Sequence, residues 1–346
     1  MTTAEMTSPR DPRPRRAAGL RDWAGAWEIA LFGLLLIVLV VGAVWSPYFL
    51  TLENFQITAA GAVGIALMVI PMTWIMIAGE IDLSVASVFG LTGVVFGLLV
   101  QGGVDLFPAI LAGFGVGLIA GLVNALFSVR LGLPSLIVTV ATLSIFRGLA
   151  FVLLETQSVH SLPPAFAEFA QGHVAGTPVP NTFIVFLAVA AIGAVLLQKG
   201  TVGRKTYAIG SSTQVSRFSG VRVQRVKLGL FVFSGLVASL AGVLYAGYVN
   251  SVRADNGSGL ELTVVAIVLI GGVSMYGGKG RVLGVLLALI LVIAVRSLMA
   301  LAYVQTNIQY MVVGLLMIGA VVVPAIVNRL KAGRRGSLSQ RTGREE

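Results

Sequence analysis

The sequence lacks cysteine and has few charged residues, and each shortage excludes a class of protein. Without cysteine, the chain of 346 residues can form no disulfide, thiolate metal site or cysteine nucleophile. Only 11% of its residues are charged, against about 25% in an ordinary soluble domain. Hydrophobic residues make up 57%, which leaves too little polar surface to cover a body in water. The composition therefore predicts a chain solvated by lipid.

Ten apolar segments are candidates for membrane-spanning helices, since about 20 apolar residues cross a bilayer core of about 30 Å. The runs are continuous rather than alternating, which favours an all-α polytopic membrane protein over a barrel of strands. The segments are Glu28–Ser46, Thr58–Ala78, Ser84–Gln101, Phe107–Arg130, Ser135–Leu154, Thr182–Gln198, Lys227–Val249, Leu262–Tyr276, Val282–Ala302 and Ile308–Val327. The eighth is short, so we expect it to be tilted, broken or re-entrant.

The positions of lysine and arginine predict the orientation of these segments. Basic residues cluster before the first span, in loop 200–226 and after the tenth span, whereas the outer loop 155–181 has none. Cytoplasmic loops carry the excess of Lys and Arg, so both termini are predicted to be cytoplasmic. The predicted organisation is a disordered basic leader (1–27), a transmembrane domain (28–328) and a basic tail (329–346). Orientation explains the net charge of +10, and we expect no nucleic-acid partner.

A short segment occurs twice in the chain. Ile81–Ala86 and Leu260–Val265 both read acid, Leu, hydroxyl, Val, and the ten-span topology places them in opposite orientations. Inverted repeats of this kind place a pathway at their interface in many transporters. Chance similarity between two apolar segments is the alternative.

Two carboxylates precede the third span. Charged groups near lipid are costly, so Glu80 and Asp82 should face a cavity or a partner. Alternatively, they lie at the interface, where Asp82 or Ser84 accepts hydrogen bonds from the first amides of the helix.

Two arginines and several uncharged polar residues fall inside predicted spans. Arg147 and Arg296 lie near mid-depth, so each should face protein or water, either in an ion pair or hydrogen-bonded to a substrate. The five donors of a guanidinium suit the hydroxyls of a sugar. Asn124, Thr139 and Thr142 line a pathway or, for the threonines, bond the carbonyl of the preceding turn.

Loop 200–226 contains a predicted short helix, Ser212–Phe218, that ends at Ser219 and Gly220. Such a helix suits docking to a partner, whereas the alternative is a plain basic loop. The Gly277–Gly280 stretch lacks the first glycine and the final Ser or Thr of a phosphate-binding loop. No metal or Ser-His-Asp pattern is evident, so we expect neither an enzyme nor a cofactor.

Six motifs, in order along the chain, resemble the inner-membrane permeases of monosaccharide ABC importers. That family includes ribose, xylose, arabinose, galactose, rhamnose and autoinducer-2 systems, and Glu80, at a position where the family commonly has glycine, looks most like the rhamnose type. Each motif is weak alone, but the ordered set is specific. The motifs are Gly79–Val85, Leu133–Thr139, Thr142–Gly148, Tyr207–Gly210, Arg217–Val221 and Gly271–Gly280.

The resemblance implies a permease of the bacterial cytoplasmic membrane that moves a rhamnose-like or ribose-like sugar inward by alternating access. It implies two cytosolic ATPase subunits, a second permease (identical or sister) and an extracytoplasmic sugar-binding protein. The expected pathway residues are Glu80, Asp82, Asn124, Thr139, Thr142, Phe146, Arg147 and Arg296. The expected ATPase-coupling residues are Tyr207, Gly210, Arg217, Phe218, Ser219 and Gly220.

Two other functions fit the same composition. An ion-coupled secondary transporter would use Glu80, Asp82, Arg147 and Arg296 as a relay, but it would have no need of a docking helix in loop 200–226. An ABC permease for another small polar solute, such as autoinducer-2 or a branched-chain amino acid, would share the architecture.

Overall fold

The computed structural model describes residues 19–160, 162–320 and 322, and within these the chain is a bundle of fourteen α-helices. The first seven are α1 (Gly19–Trp45), α2 (Leu52–Gly61), α3 (Val63–Ile77), α4 (Val85–Gln101), α5 (Leu106–Ala125, continued by a π-helical turn, Leu126–Arg130), α6 (Ser135–Leu154) and α7 (Pro164–Gln171). The others are α8 (Asn181–Gln198), α9 (Thr201–Ser211), α10 (Thr213–Phe218), α11 (Val223–Val249), α12 (Leu260–Ile270), α13 (Val282–Leu301) and α14 (Thr306–Ala320). Two short strands, β1 (Val159–His160) and β2 (Ser251–Val252), pair antiparallel.

Six of the described helices are long and apolar enough to cross a membrane, which confirms a helical membrane protein. The pair α2 and α3 is long and apolar enough only when taken together, and it is bent by 53° at Ala62, so it forms either a broken seventh span or a re-entrant loop where the span Thr58–Ala78 was predicted. The helices α4, α12 and α14 are apolar but shorter, so the count of ten spans stays a prediction.

The first helix begins before the predicted start of the transmembrane domain. Helix α1 begins at Gly19 rather than Glu28, so residues 19–27, assigned to the disordered leader, are helical. Residues 1–18 of that leader and the basic tail 329–346 lie outside the described residues.

The bundle has two ends that differ in character. The basic end carries α9, α10 and the turn 274–280, and the loop end carries segments 155–181 and 250–259. Helix α11 connects the two ends, and its 27 residues span about 40 Å. The β1–β2 pair and a hydrogen bond from the Leu162 amide to Asn250 Oδ1 (2.9 Å) hold the two segments of the loop end together.

The core of the bundle lies around α3 and α11. All 15 residues of α3 are buried, and α11 packs against α3, α4 and α5. Helices α1 and α6 lie outside and expose large apolar side chains, such as Val44 (85%) and Val152 (73%). Such exposure suits lipid rather than water as the surrounding solvent.

Glycine allows α5 and α11 to approach closely. A Cβ on Gly121 would lie 2.6 Å from the Phe231 carbonyl oxygen, and one on Gly117 would collide with the Gly235 carbonyl and the Ser239 hydroxyl. The glycines at four-residue spacing therefore form the helix contact that their spacing predicts.

Helix α12 is half a span. It covers only Leu260–Ile270, about 16 Å, although the sequence predicts a span that continues to Tyr276. The preceding segment reaches the first half of α4, because a Cβ on Gly90 would lie 2.6 Å from the Asn256 carbonyl oxygen. The eighth apolar segment is therefore a short helix that begins inside the bundle and ends at the basic end.

Candidate functional site

A cavity of about 730 Å³ opens at the loop end between α2, α3, α13, α14 and the segment 253–260. This volume lies in the range of small-molecule sites, about 300–1,000 Å³. Its lining includes the polar side chains of Thr58, Arg253, Asp255, Arg296, Gln309 and Tyr310. A cavity with several polar side chains inside a largely apolar bundle is the arrangement expected for a solute pathway.

Arg296 brings an available positive charge to this cavity. Its guanidinium lies over the Tyr310 ring, 5.4 Å from the centroid, in a cation–π contact. Among the described residues it makes no ion pair and no hydrogen bond, so its donors can serve a ligand. Arg253, in contrast, already binds both carboxylate oxygens of Asp255, at 2.9 and 3.0 Å.

A polar joint beside the cavity fixes α2 to α13. The Asn54 side chain exchanges hydrogen bonds with the Ser297 hydroxyl at 3.1 Å, and the Thr58 and Ser297 hydroxyls lie 3.1 Å apart. Asn54 Nδ2 also donates to the Phe49 carbonyl at 2.8 Å. These bonds hold Arg296, the neighbour of Ser297, at the cavity wall.

The floor of the cavity is the non-helical segment that leads into α12, and Arg147 holds it. The Arg147 guanidinium donates to the carbonyls of Asn256 (2.6 Å), Ala254 (3.2 Å) and Ala86 (3.4 Å). Irregular backbone at membrane depth needs such partners, because lipid offers none. Sequence reasoning expected an ion pair or a substrate contact, whereas Arg147 is a backbone anchor.

A buried polar network lies closer to the basic end, where α4 begins. Asp82 Oδ1 accepts from the Ser84 amide (3.0 Å) and hydroxyl (2.6 Å), and Oδ2 accepts from the Ser234 hydroxyl (2.7 Å). Asn124 Nδ2 donates to Ser84 Oγ, and Thr142 Oγ1 donates to Asn124 Oδ1, both at 2.7 Å. Each of the five residues is buried. The network joins α4, α5, α6 and α11 through satisfied hydrogen bonds.

The network decides between the interpretations of several predicted residues. Asp82 binds the Ser84 amide just before α4 begins, and among the described residues no side chain caps the first-turn amides of α4, so the predicted helix cap is not seen. Thr139 bonds back to the Ser135 carbonyl (2.8 Å), as hydroxyls within helices often do. Phe146 is a buried core residue of α6. None of these side chains is among the residues that line the 730 Å³ cavity.

Glu80 forms an ion pair with Lys227 at the start of α11. The two side chains are 18% and 15% exposed, so the pair lies at the margin of the bundle. Glu80 pairs with Lys227, Asp82 with hydroxyls, Arg147 with carbonyls, and Arg296 lies in the cavity. Within the described part of the chain, the four groups therefore do not assemble into the relay of a secondary transporter.

The basic end presents the predicted short helix. Helix α10 begins after Ser212, whose hydroxyl accepts from the Val215 amide (3.3 Å), and it ends before Gly220, whose φ is +79°. Phe218 is 84% exposed, and Arg217 and Ser219 are exposed beside it. The loop also contains α9, which sequence reasoning had not assigned as a helix.

Four glycines form a junction between α9, the end of α3 and the turn 274–280, and we call it the glycine junction (Gly79, Gly210, Gly277 and Gly278). A Cβ on Gly277 would lie 2.8 Å from Gly79 Cα and 3.1 Å from Gly210 Cα. The Gly278 amide donates to the Ile77 carbonyl at 2.8 Å. A side chain at Gly210, Gly277 or Gly278 would collide with the backbone of a neighbouring segment and push the segments apart.

Tyr207 fastens α9 to the same turn. Its hydroxyl donates to the Gly280 carbonyl at 2.8 Å. Burial raises the pKa of this phenol, and Arg281 opposes that rise, so the donor stays protonated at neutral pH. Tyr207 and Gly210 therefore have an internal connecting role, whereas Phe218 is displayed on the surface.

Sequence reasoning missed several residues that matter to these sites. Lys227 and Ser234 are partners of carboxylates about 150 residues away, and no local pattern links them. Asn54 lies outside the predicted spans, and Tyr310 is the third residue of the predicted tenth span. The one signal for them in the sequence is the presence of polar residues in or beside apolar runs.

A bundle of apolar helices with a polar cavity at one end and a displayed helix at the other defines a polytopic membrane transport protein. Residues 55–321 match the family described as branched-chain amino acid transport system, permease component. The chain belongs to this family of ABC-importer permeases. It is a multi-pass protein of the bacterial inner membrane and a transport subunit, not an enzyme.

Several curated relatives are similar over most of the chain. The autoinducer 2 import system permease protein LsrD of Escherichia coli (strain K12) is 32% identical over 302 residues, which cover 86% of this chain and 91% of that protein. The LsrD proteins of Shigella flexneri and of Escherichia coli O157:H7 match with the same identity and coverage. No solved structure matches the chain. The resemblance to the monosaccharide-importer permeases is thus confirmed, while the rhamnose type stays a prediction.

Proposed function

We propose that this permease carries a monosaccharide or a similar polyol into the cell by alternating access, driven by separate ATPase subunits. The observation that carries the proposal is the polar cavity of about 730 Å³ at the loop end. Its lining includes the first residues of α3 and α12, and from there both helices run packed together to the basic end. In this proposal, the cavity is the part of the pathway that opens toward the loop end, and the packed helices α3 and α12 close it toward the basic end.

The chemistry of the lining favours an oxygen-rich solute. Arg296 offers guanidinium donors that no other described residue accepts from, and the Gln309 amide and Tyr310 ring lie in the same cavity. The first turn of α12 also borders the cavity. The partial positive charge at a helix N-terminus attracts the negative end of a solute dipole. A zwitterionic amino acid would need a free carboxylate for its ammonium group, whereas Asp255, the carboxylate among the described lining residues, is already bound to Arg253.

The charge distribution supports an orientation for this cycle. Loop 200–226 and the turn 274–280 at the basic end carry Lys and Arg, whereas segment 155–181 carries none. The positive-inside rule then puts the basic end in the cytoplasm and the cavity on the outside. ATPase subunits would dock on α10, a sugar-binding protein would deliver cargo at the loop end, and a second permease would complete the pathway.

Replacement of Arg296 by Gln tests the substrate role of the cavity. A hydrogen bond to a charged group contributes about 1.5–3 kcal/mol, so R296Q should raise the KM of uptake about tenfold or more. The matched control is R130Q, which changes an exposed arginine at the basic end, outside the cavity lining, and it should stay within about twofold of the natural protein. Equal KM values for the two variants would remove the substrate role of Arg296.

Autoinducer 2 is a second candidate cargo, favoured by the LsrD relatives, whose name states that import. Uptake of labelled autoinducer 2, rhamnose and ribose into cells that express the complete importer separates the two. Competition by unlabelled leucine in the same experiment addresses the branched-chain amino acid alternative. The cargo is the solute that is both taken up and blocked by its own unlabelled form at the lowest concentration.

A further inference from the structure

We propose that the turn 274–280 is a second docking element for the ATPase subunit, with Tyr276 as its anchor. The inference rests on the proposed function, because it assumes that the ATPase binds at the basic end. It adds a contact that acts directly on α12 and α13, the two helices that the turn connects.

Exposure identifies the surface. Tyr276 is 91% exposed and Met275 is 52% exposed, on the same end of the molecule as Phe218 of α10. Tyrosine and methionine are enriched in protein interfaces, and tyrosine often contributes much of the binding energy. Tyrosine is also common at the surface of a bilayer, so lipid is the alternative partner of these two adjacent side chains.

The turn is rigid, so little conformational entropy is lost when it binds. The Ser274 amide donates to the Lys279 carbonyl and the Gly277 amide donates to the Ser274 carbonyl, both at 3.0 Å. The Tyr276 amide bonds Ser274 Oγ at 3.2 Å. A backbone that is already fixed loses less conformational entropy on binding, which favours the complex.

The turn lies directly beside α10, the helix on which the ATPase is proposed to dock. This position favours the ATPase over lipid as the partner of Tyr276. In the glycine junction a Cβ on Gly278 would lie 2.8 Å from the Ser211 amide nitrogen, and the next residue, Ser212, caps α10. A protein seated on Phe218 therefore has the turn as its immediate neighbour. Movement of that protein would act on the end of α3 through Ile77 and on α12 through the turn. Both helices begin at the substrate cavity.

Single cysteines provide the direct test, because the natural chain has none. Y276C, F218C and Y303C are each labelled with benzophenone maleimide in the complete importer and irradiated. Tyr303 is 97% exposed but follows α13 at the opposite end, so Y303C is the negative control. We expect permease–ATPase conjugates from Y276C and F218C in yields within about threefold of each other, and none from Y303C.

The outcomes separate this proposal from the proposed function. Conjugates from F218C without any from Y276C, or label from Y276C in lipid alone, would overturn the second docking element and leave the first. Absence of conjugates from both would reject ATPase docking at this end altogether.

A binding measurement with the uncrosslinked importer adds a second check. Y276A in nanodiscs should bind the ATPase at least tenfold more weakly than Y303A, and equal affinities would contradict the anchor role.

Discussion

At the scale of single residues, the bundle places its charges where each finds a different kind of partner. Asp82 binds hydroxyls, Glu80 binds Lys227 and Arg147 binds backbone carbonyls. Only Arg296, among the four charged residues predicted for the pathway, lines the cavity. A charge in an apolar span predicts that a partner exists, but not which partner, because the partner comes from a distant part of the chain.

Removal of the Asp82 carboxylate should destabilise the bundle. In D82A the Ser84 amide and two buried hydroxyls lose their acceptor, and each unsatisfied group costs about 1–3 kcal/mol. Thermal unfolding in detergent should show a large loss for D82A and a smaller one for D82N, which keeps one acceptor oxygen. The control is D105A at the exposed start of α5, where the carboxylate makes no cap hydrogen bond. Similar melting temperatures for D82A and D105A would show that the network contributes little.

At the scale of elements, sequence reasoning predicted most helices but not where they break. Helix α10, with its Ser cap and its glycine stop, was predicted because capping signals are local. The bend at Ala62 and the early end of α12 could not be located from the sequence. Every residue of α3 is buried, so apolar residues occur on all of its sides and the pattern distinguishes no buried face from an exposed one. Helix α9 was not predicted because the basic residues of loop 200–226 indicate a polar loop on one side of the membrane and give no sign of a helix.

The approach of α5 to α11 gives a prediction at this scale. G117A should lower stability by about 1–3 kcal/mol, because its methyl group would meet the Gly235 backbone, which cannot move without separating the helices. G115A, two residues away on the same helix, meets nothing within 4 Å and should be neutral or slightly stabilising. The comparison uses the unfolding temperature and the yield of monodisperse protein. Equal behaviour of the two variants would mean that the helices are not in the close contact described here.

At the scale of the whole molecule, composition correctly predicted the solvent and the class of fold, while the orientation that charge predicts for the two ends stays a prediction. The cavity could not be predicted, because its walls come from residues 57–65, 245–260 and 293–310, which meet only in the folded bundle. The glycine junction likewise connects three distant parts of the chain, around 79, 210 and 277. The family motifs include these three segments, but the motifs give no sign that the segments are in contact.

The central claim is that a separate ATPase drives solute through this permease from the loop end to the basic end. It is tested by uptake into proteoliposomes that contain the complete importer, with ATP enclosed, the binding protein outside and the proton gradient collapsed by an uncoupler. Labelled rhamnose, ribose and autoinducer 2 serve as the three probes. Uptake of at least one probe that requires enclosed ATP and survives the uncoupler is the predicted result. Uptake by the permease alone that follows an imposed ion gradient, with no response to ATP, would contradict the claim.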